Sequence, residues 1–398
     1  MIPFGIIGVV SWSVWFLRRS LSKRATPAAN DFTTSTSVIV PVYWEDVDIL
    51  TECLGTWLAE EPDELIIVVE TADTPSRARL AELDLPAWAH VMPFRHSGKR
   101  SALGVGIRAA TSEVVVLCDS DTAWTPGLLR EIQMPFRDPE VGGVGTRQSV
   151  AARGTSVMRR LASWTLNLRY ADYVPAMGAR GSVACLSGRT AAYRRSVVLP
   201  LLADLEHEWF LGQECVAGDD GRLTWLVLSA GYRTVHQDTA HAVSMFPASI
   251  QGFVRQRLRW SRNSYRCYLT AAWRGWLWRQ PLVTQVTVLQ ILLTPLTMGI
   301  AMVYLVHSYM VHSLLRATVY LSWFLIGRAV RGISHLRKHP EDLLLLPLMT
   351  LVTIFLAVPL KLLAFVTMNR QGWLTRGHDG VGPDGQSNAS LDGHALIS

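Results

Sequence analysis

Between residues 37 and 118, short apolar runs alternate with stretches of helical spacing, and this rhythm limits the fold more than any other feature of the chain. SVIVPV (37–42), ELIIVV (64–69) and EVVVLC (113–118) read as buried strands; residues 47–60 and GKRSALGVGIRAA (98–110) read as helices between them. Strand, helix, strand, helix, strand predicts an α/β domain on an open, mostly parallel sheet. Ligands of such sheets bind beyond the carboxyl ends of the strands. The third run ends abruptly in Asp119-Ser120-Asp121. Asp is also a good turn residue, so the position alone leaves a turn and a ligand site both open.

The rest of the chain is of another kind. Residues 1–17 carry no charge and precede Arg18, Arg19, Lys23 and Arg24. Positive charge after the apolar run, not before it, suits a membrane anchor with a cytosolic basic end better than a signal peptide. Residues 25–36 are small and polar and read as a linker. Residues 248–268 are basic and amphipathic, with Arg255, Arg259, Arg262 and Arg266 on one helical face, and AWRGWLWR (272–279) follows. That composition suits helices lying at a membrane interface. Residues 282–306 form a run of 25 uncharged residues, the clearest span; a second candidate covers about 310–327. The basic loop at 331–342 is expected in the cytosol. Residues 343–369, interrupted by Pro347 and Pro359 and followed by Arg370 and Arg376, read as a re-entrant or interfacial helix. Residues 378–398 are expected to be a disordered tail. A mean hydropathy of +0.20 and fifteen Trp residues agree with a membrane chain, and the net charge of +6 with an anionic partner. Nucleic acid is disfavoured, because the basic residues cluster at the apparent interface. The five scattered cysteines show no metal-ligand spacing and read as reduced thiols.

Four groups have the chemistry of a site. Asp-x-Asp at a strand end can hold a divalent cation through hard oxygen ligands. Gly218-Asp219-Asp220 precedes a helix; the pair can cap it, or one carboxylate can act as a general base. Gln256, Arg259 and Trp260 lie together on the basic helix: Arg can grip a diphosphate and Trp can stack on a sugar, although membrane snorkelling explains many such residues. Lys99 and Arg100 open a helix where cations oppose its dipole, so another group should hold them there, phosphate or a nucleotide among the choices.

In this order the motifs resemble those of processive family 2 glycosyltransferases, and most closely those of hyaluronan synthases and chitin-oligosaccharide synthases. SGKRSAL, CLSGRTAAYRR, GDDGRLTWLVLSAGYRTVHQDTA and PLKLLAFVTMNRQGWLTRG all resemble stretches of that subgroup, over roughly residues 37–377. The resemblance implies a GT-A catalytic domain at 37–247, interfacial helices at 248–280, two transmembrane helices at 281–330 and a gating loop at 370–377. It implies an inverting, multi-pass enzyme of the plasma membrane with a cytosolic catalytic domain, using Mg2+ or Mn2+.

Position by position, the resemblance assigns Asp121 and Asp119 to the metal and Asp220 to the base. Glu70, Lys99, Asp119, Gln256 and Arg259 fall to the donor, with Trp373, Thr375 and Arg376 closing over UDP. Ser187, Gly188, Asp219 and Trp260 fall to the acceptor. The implied partners are a UDP-sugar (UDP-GlcNAc, UDP-GlcA or UDP-Glc), a growing glycan or lipid-linked acceptor and membrane lipid, with homo-oligomerisation left open. Three departures stand out. Glu70 or Asp73 must replace the usual uracil-binding Asp, Arg189 stands where hyaluronan synthases usually have Pro, and Gly221 stands where Arg usually follows the paired Asp residues. The expected function is elongation of an extracellular polysaccharide. Transfer of one sugar to a lipid carrier or short oligosaccharide is the alternative, and a membrane protein that only binds a nucleotide sugar or glycan is a third.

Overall fold

The computed structural model describes residues 6–95, 98–312 and 314–370. Its strands are β1 (Thr36–Val42), β2 (Glu64–Glu70), β3 (Ala89–Phe94), β4 (Val114–Cys118), β5 (Thr122–Trp124), β6 (Val141–Val150), β7 (Thr190–Arg194), β8 (Trp209–Phe210), β9 (Gln213–Glu214) and β10 (Arg233–Ser244). Eight of them form one sheet in the order β3-β2-β1-β4-β7-β6-β10-β5, and β8 with β9 is a separate hairpin. β1 pairs in parallel with β2 and β4, β2 with β3, and β6 with β10; β7 runs antiparallel between β4 and β6, and β5 antiparallel against β10.

Each predicted apolar strand is there, within a residue or so, because each supplies two cores at once. Successive side chains alternate between the faces of a sheet. Ile39, Ile66, Val68, Val115 and Leu117 enter one cluster; Val38, Val40, Leu65, Ile67, Val114 and Val116 enter the other. Helix Val47–Leu58 starts at Asp46, whose side chain accepts from the amides of Asp48 and Ile49, and seats Ile49, Leu50, Cys53, Leu54 and Trp57 on the second core. Helix Lys99–Ala109 covers the first core and approaches closely through Gly106, where a Cβ would stand 2.4 Å from the Ile39 Cγ2.

From β1 the chain steps one way to β2 and β3, then returns to place β4 on the other side of β1. This reversal puts a crevice at the carboxyl ends of β1 and β4, where open α/β sheets bind ligands. Tyr43–Asp46 leave one strand there and Asp119–Asp121 the other.

The segment at 25–36 is docked rather than a free linker. The Ala28 amide donates to Gln237 Oε1 at 2.9 Å, Gln237 Nε2 donates back to the Ala28 carbonyl, and β1 already begins at Thr36.

Helices Ile6–Ser22, Leu282–His312 and Leu314–Arg331 precede a broken helical run at Pro340–Val366. Leu282–Val303 and Pro340–Val366 are long and apolar enough to cross a membrane; only 17% and 28% of their most apolar stretches are buried, so they are not core helices of a soluble domain. The second run passes from 3-10 turns (Pro340–Leu345) through α (Leu346–Leu351) and π (Val352–Ala357) to α (Val358–Val366). Pro347 and Pro359 each sit in the first turn of an α segment, where a missing N–H costs little.

Two polar clamps fix these helices to the sheet domain. At the basic end of the first helix, Arg19 pairs with Asp172 at 2.9 Å and Arg18 donates to Gln290 Oε1 at 2.7 Å. In the first turns of the last run, fully buried Asp342 receives Arg153, Arg160 (2.5 Å) and His335 Nε2 (2.7 Å), while the His335 ring stacks on Trp164. The loop at 331–342 is therefore anchored on the sheet domain.

Candidate active site

The crevice between β1 and β4 is closed by polar contacts from five segments. Ser120 Oγ donates to Glu45 Oε2 at 2.6 Å, joining the two strand ends. Because β7 runs antiparallel to β4, its first residues arrive where β4 finishes: the Asp119 amide donates to the Arg189 carbonyl at 3.1 Å. Ser187, Gly188 and Arg189 are thereby carried to the crevice.

Lys99 is the central cation. Its Nζ lies 2.6 Å from Asp119 Oδ1 and 2.9 Å from Asp219 Oδ2, and its side chain is 14% exposed. The group that holds Lys99 at an unfavourable helix start is thus a pair of carboxylates. Burial opposes its charge, but the two carboxylates outweigh burial and raise its pKa. A Cβ on Gly188 would stand 3.3 Å from both Lys99 Nζ and Asp219 Oδ2, and 3.4 Å from the Asp220 Cβ, so the glycine forms one wall of this cluster.

Asp219 and Asp220 open helix Asp219–Ser229, with Gly218 at φ 86° as its cap. Asp does not occupy the cap itself: both carboxylates lie in the first turn, where the helix dipole favours negative charge. Burial raises the Asp219 pKa, but Lys99 more than offsets it and the net shift is downward. Asp220 goes the other way, pushed up by burial in the cleft and then by the charge of Asp219. Its Oδ1 accepts from the Gly221 amide at 2.7 Å, and its Oδ2 faces the Cys185 thiol at 3.7 Å. Burial, then Asp220, holds that thiol up at about 12, so it stays protonated and donates.

Arg100 acts from beneath the cleft, where its charge helps to lower the Asp219 pKa. It donates to Glu208 Oε2 at 2.8 Å and to the Ala217 and Gly218 carbonyls, and Arg222 meets Glu208 from the other side at 3.2 Å. That buried network holds the turn that presents the two Asp residues. Gly221 also has a steric reason: a Cβ there would come within 3.1 Å of the Cys267 Sγ on helix Ile250–Trp273.

That helix carries Gln256 and Trp260, and Trp260 reaches the site through Arg189. Gln256 is buried, and Trp260 meets Phe246 edge to face at 6.0 Å. Arg189 joins the two halves of the site: its guanidinium lies 4.2 Å from the Phe246 ring and 4.9 Å from the Trp260 ring, within electrostatic reach of Asp121 and Asp119. Arg262 Nε donates to Thr367 Oγ1 at 3.0 Å and Arg266 Nη1 to the Met368 carbonyl at 2.6 Å. Trp373, Thr375 and Arg376 lie outside the described residues.

A family model described as "Glycosyltransferase like family 2" matches residues 34–263, more than half of the chain. The chain belongs to that family. This family 2 glycosyltransferase is 30% identical over 397 residues to an N-acetylglucosaminyltransferase of Rhizobium leguminosarum bv. viciae, covering 94% of this chain and 90% of the relative. It is 26% identical over 382 residues to a hyaluronan synthase of Streptococcus pyogenes serotype M3, covering 94% and 90%. Among solved structures it is similar to the mannosyltransferase PcManGT from Pyrobaculum calidifontis in complex with GDP-Man and Mn2+. There the TM-score is 0.58 and the identity 19%, over 88% of this chain and 97% of that one. The fold is GT-A-like, as the resemblance implied, and the enzyme is a glycosyltransferase related to hyaluronan synthases and N-acetylglucosaminyltransferases.

Lys99, Asp119, Gly188, Asp219 and Asp220 converge as a single cluster. Asp219, expected at the acceptor, is paired with Lys99. Glu70 is buried at the end of β2. Asp73, the other uracil candidate, caps a helix through the Ser76 amide and accepts from the Trp44 amide just past β1 at 2.6 Å. Glu45, Cys185 and the placement of Arg189 were not anticipated. The end of β1 carried the same signal as the end of β4, a carboxylate just past a buried parallel strand. Cys185 and Arg189 had no local signal, since antiparallel β7 delivers them.

Proposed function

We propose that this glycosyltransferase uses a UDP-sugar to extend a glycan at a membrane, from a catalytic domain on the cytosolic side. What carries the reading is Lys99 bridging Asp119 and Asp219 with Gly188 alongside: four motifs distant in sequence share one crevice at the reversal of the sheet.

Among the described residues no group of three His, Cys, Asp or Glu side chains could enclose a metal ion. Asp121 and Asp119 would hold Mg2+ or Mn2+, which take one or two carboxylates and complete their shell with water and phosphate oxygens. Such an ion, when bound, supplies positive charge to the diphosphate. Arg259 and Gln256 hold that diphosphate, Lys99 and Glu70 contact the nucleotide, and Trp260, Ser187 and Gly188 face the acceptor. Asp220 accepts the proton of the attacking hydroxyl. The acceptor oxygen forms its bond to the anomeric carbon as the bond to the diphosphate oxygen breaks, with inversion, and the electron pair leaves on UDP. A raised pKa suits a base that must release its proton again near neutrality.

Topology supports the cytosolic assignment. The basic end of the first helix and the loop at 331–342 are both clamped to the sheet domain, so all three share one side of the membrane. Positive flanks favour the cytosol. The test is to incubate membranes with each UDP-sugar, singly and in pairs, and follow UDP release and product length. A ladder of products is expected. A single addition would replace elongation by transfer to a carrier, and no UDP release with any donor would overturn the reading.

A further inference from the structure

Next to the acceptor side of the crevice lies a group of cations with no ion-pair partner among the described residues. Arg189 is 9% exposed; Arg169 and Arg257 are partly buried, each with its Nε buried and without a hydrogen-bond partner. Arg169 donates to the Cys185 carbonyl at 2.9 Å, Arg257 to Thr165 Oγ1 at 2.6 Å, and Arg189 reaches Gln148 Oε1 at 3.5 Å. All three protein acceptors are neutral, and among the described residues none of the three arginines forms an ion pair. Two of them pack on Trp260, whose ring is 4.9 Å from the guanidinium of Arg189 and 5.3 Å from that of Arg257.

Aromatic faces offset part of such a charge, about 0.5–2 kcal/mol each, whereas taking an ion out of water costs several kcal/mol. Asp121 and Asp119 lie within electrostatic reach of Arg189, and Asp119 is already paired with Lys99. Asp220 lies within electrostatic reach of Arg169. Burial, then the positive charges of Arg189 and Arg169, pulls Arg257 down to about 10, as expected of cations crowded together. Lys361, on the last helix, stands within electrostatic reach of Arg257 and continues the positive lining toward the apolar helices.

We infer that Arg169, Arg189 and Arg257 form an anion-binding subsite beside Trp260, and that the acceptor carries a negatively charged oxyacid group there. This rests on the glycosyltransferase reading of the same site. An acceptor group arriving beside Trp260 would meet the two guanidinium groups packed on its ring, and Arg binds oxyacids through paired N–H donors. Two sources supply that chemistry: the carboxylate of a uronosyl residue in a glycan, or the diphosphate of a lipid-linked sugar.

The test is equilibrium binding, which needs no turnover. Purified full-length enzyme in lipid nanodiscs is titrated with three probes: a uronic acid-terminated oligosaccharide, its methyl ester, and a polyprenyl diphosphate-linked sugar. The lipid arm is read against the matching polyprenyl monohydroxy compound. One anionic probe should bind about 10- to 100-fold more tightly than its neutral counterpart, the range expected of charge-assisted hydrogen bonds. Preference for the free acid assigns the subsite to a glycan carboxylate, and preference for the diphosphate to a lipid carrier. Arg189→Met should erase most of the difference and Arg189→Lys should restore part of it, with thermal unfolding as the check on folding. Equal binding of charged and neutral members in both wild-type pairs overturns the inference, whatever the variants do. UDP release from the same preparation is scored separately: its absence with every donor would count against the transferase reading, while the binding comparison would still decide the subsite.

Discussion

Asp342 and Asp220 are both carboxylates set among cations, yet their surroundings differ in what they leave unsatisfied. Asp342 is fully buried: Oδ1 takes Arg160, and Oδ2 takes Arg153 and His335. Among the described residues, Asp220 has one backbone amide on Oδ1 and only a thiol at 3.7 Å on Oδ2, while the nearby cation, Lys99, is drawn to Asp119 and Asp219. The first arrangement clamps two parts of a chain together. The second keeps a carboxylate in a recess with its proton affinity raised, which is the condition for a base.

The sharpest way to break this contrast is to neutralise each carboxylate and read both activity and stability. Asp220→Asn should lower turnover by about 10^2- to 10^4-fold, the usual contribution of a general base, with little change in thermal unfolding. Asp121→Ala should lower turnover comparably and abolish its dependence on added Mg2+ or Mn2+. Near-normal transfer by purified Asp220→Asn would remove it as the base. Asp342→Ala should show the opposite pattern. It leaves Arg153, Arg160 and His335 facing a buried void, and breaking such a network costs about 3–5 kcal/mol. Turnover per folded molecule should be retained. If Asp342→Ala unfolds like wild type, the clamp contributes nothing and the anchoring argument for the loop fails with it.

The two regions also differ in how far the sequence revealed them. The crevice was legible because a parallel sheet writes its strands as continuous apolar runs, and a carboxylate after such a run is conspicuous: Asp119 and Asp121 stood out, and Glu45 stood in the same position on β1. What delivers Gly188 and Arg189 was not legible, since β7 is short and joins the sheet antiparallel, a pairing that long-range packing decides. Lys99 drew notice as a misplaced cation, but its partners, 20 and 120 residues further on, could not be read from its neighbours. Arg100, next to it, looked equivalent and is instead tied to Glu208 beneath the Asp219 turn. The clamp at Asp342 was hidden altogether. An acidic residue before an apolar helix reads as an ordinary helix start, and Arg153, Arg160 and His335 carry no shared pattern.

A smaller effect sharpens the comparison further. With Asp220 as the base, turnover at saturating substrate should rise with pH through the pKa of Asp220 and level off above it, because only the carboxylate form accepts a proton. Burial and Asp219 raise that pKa, so the midpoint should lie above the ordinary carboxylate value of about 4. Lys99 pulls against this shift, its positive charge favouring the ionised form of Asp220. Lys99→Met removes that charge and also releases Asp219 from its partner. The acid limb of the normalised kcat profile should therefore move to higher pH in the variant, even though its absolute rate will fall if Lys99 also contacts the nucleotide. Normalising each profile to its own plateau separates the two effects: loss of donor contact scales the whole curve, and loss of electrostatic support slides it along the pH axis. A profile that keeps its midpoint, or moves to lower pH, would mean that the proton-accepting group is not the carboxylate beside Asp219 and Lys99.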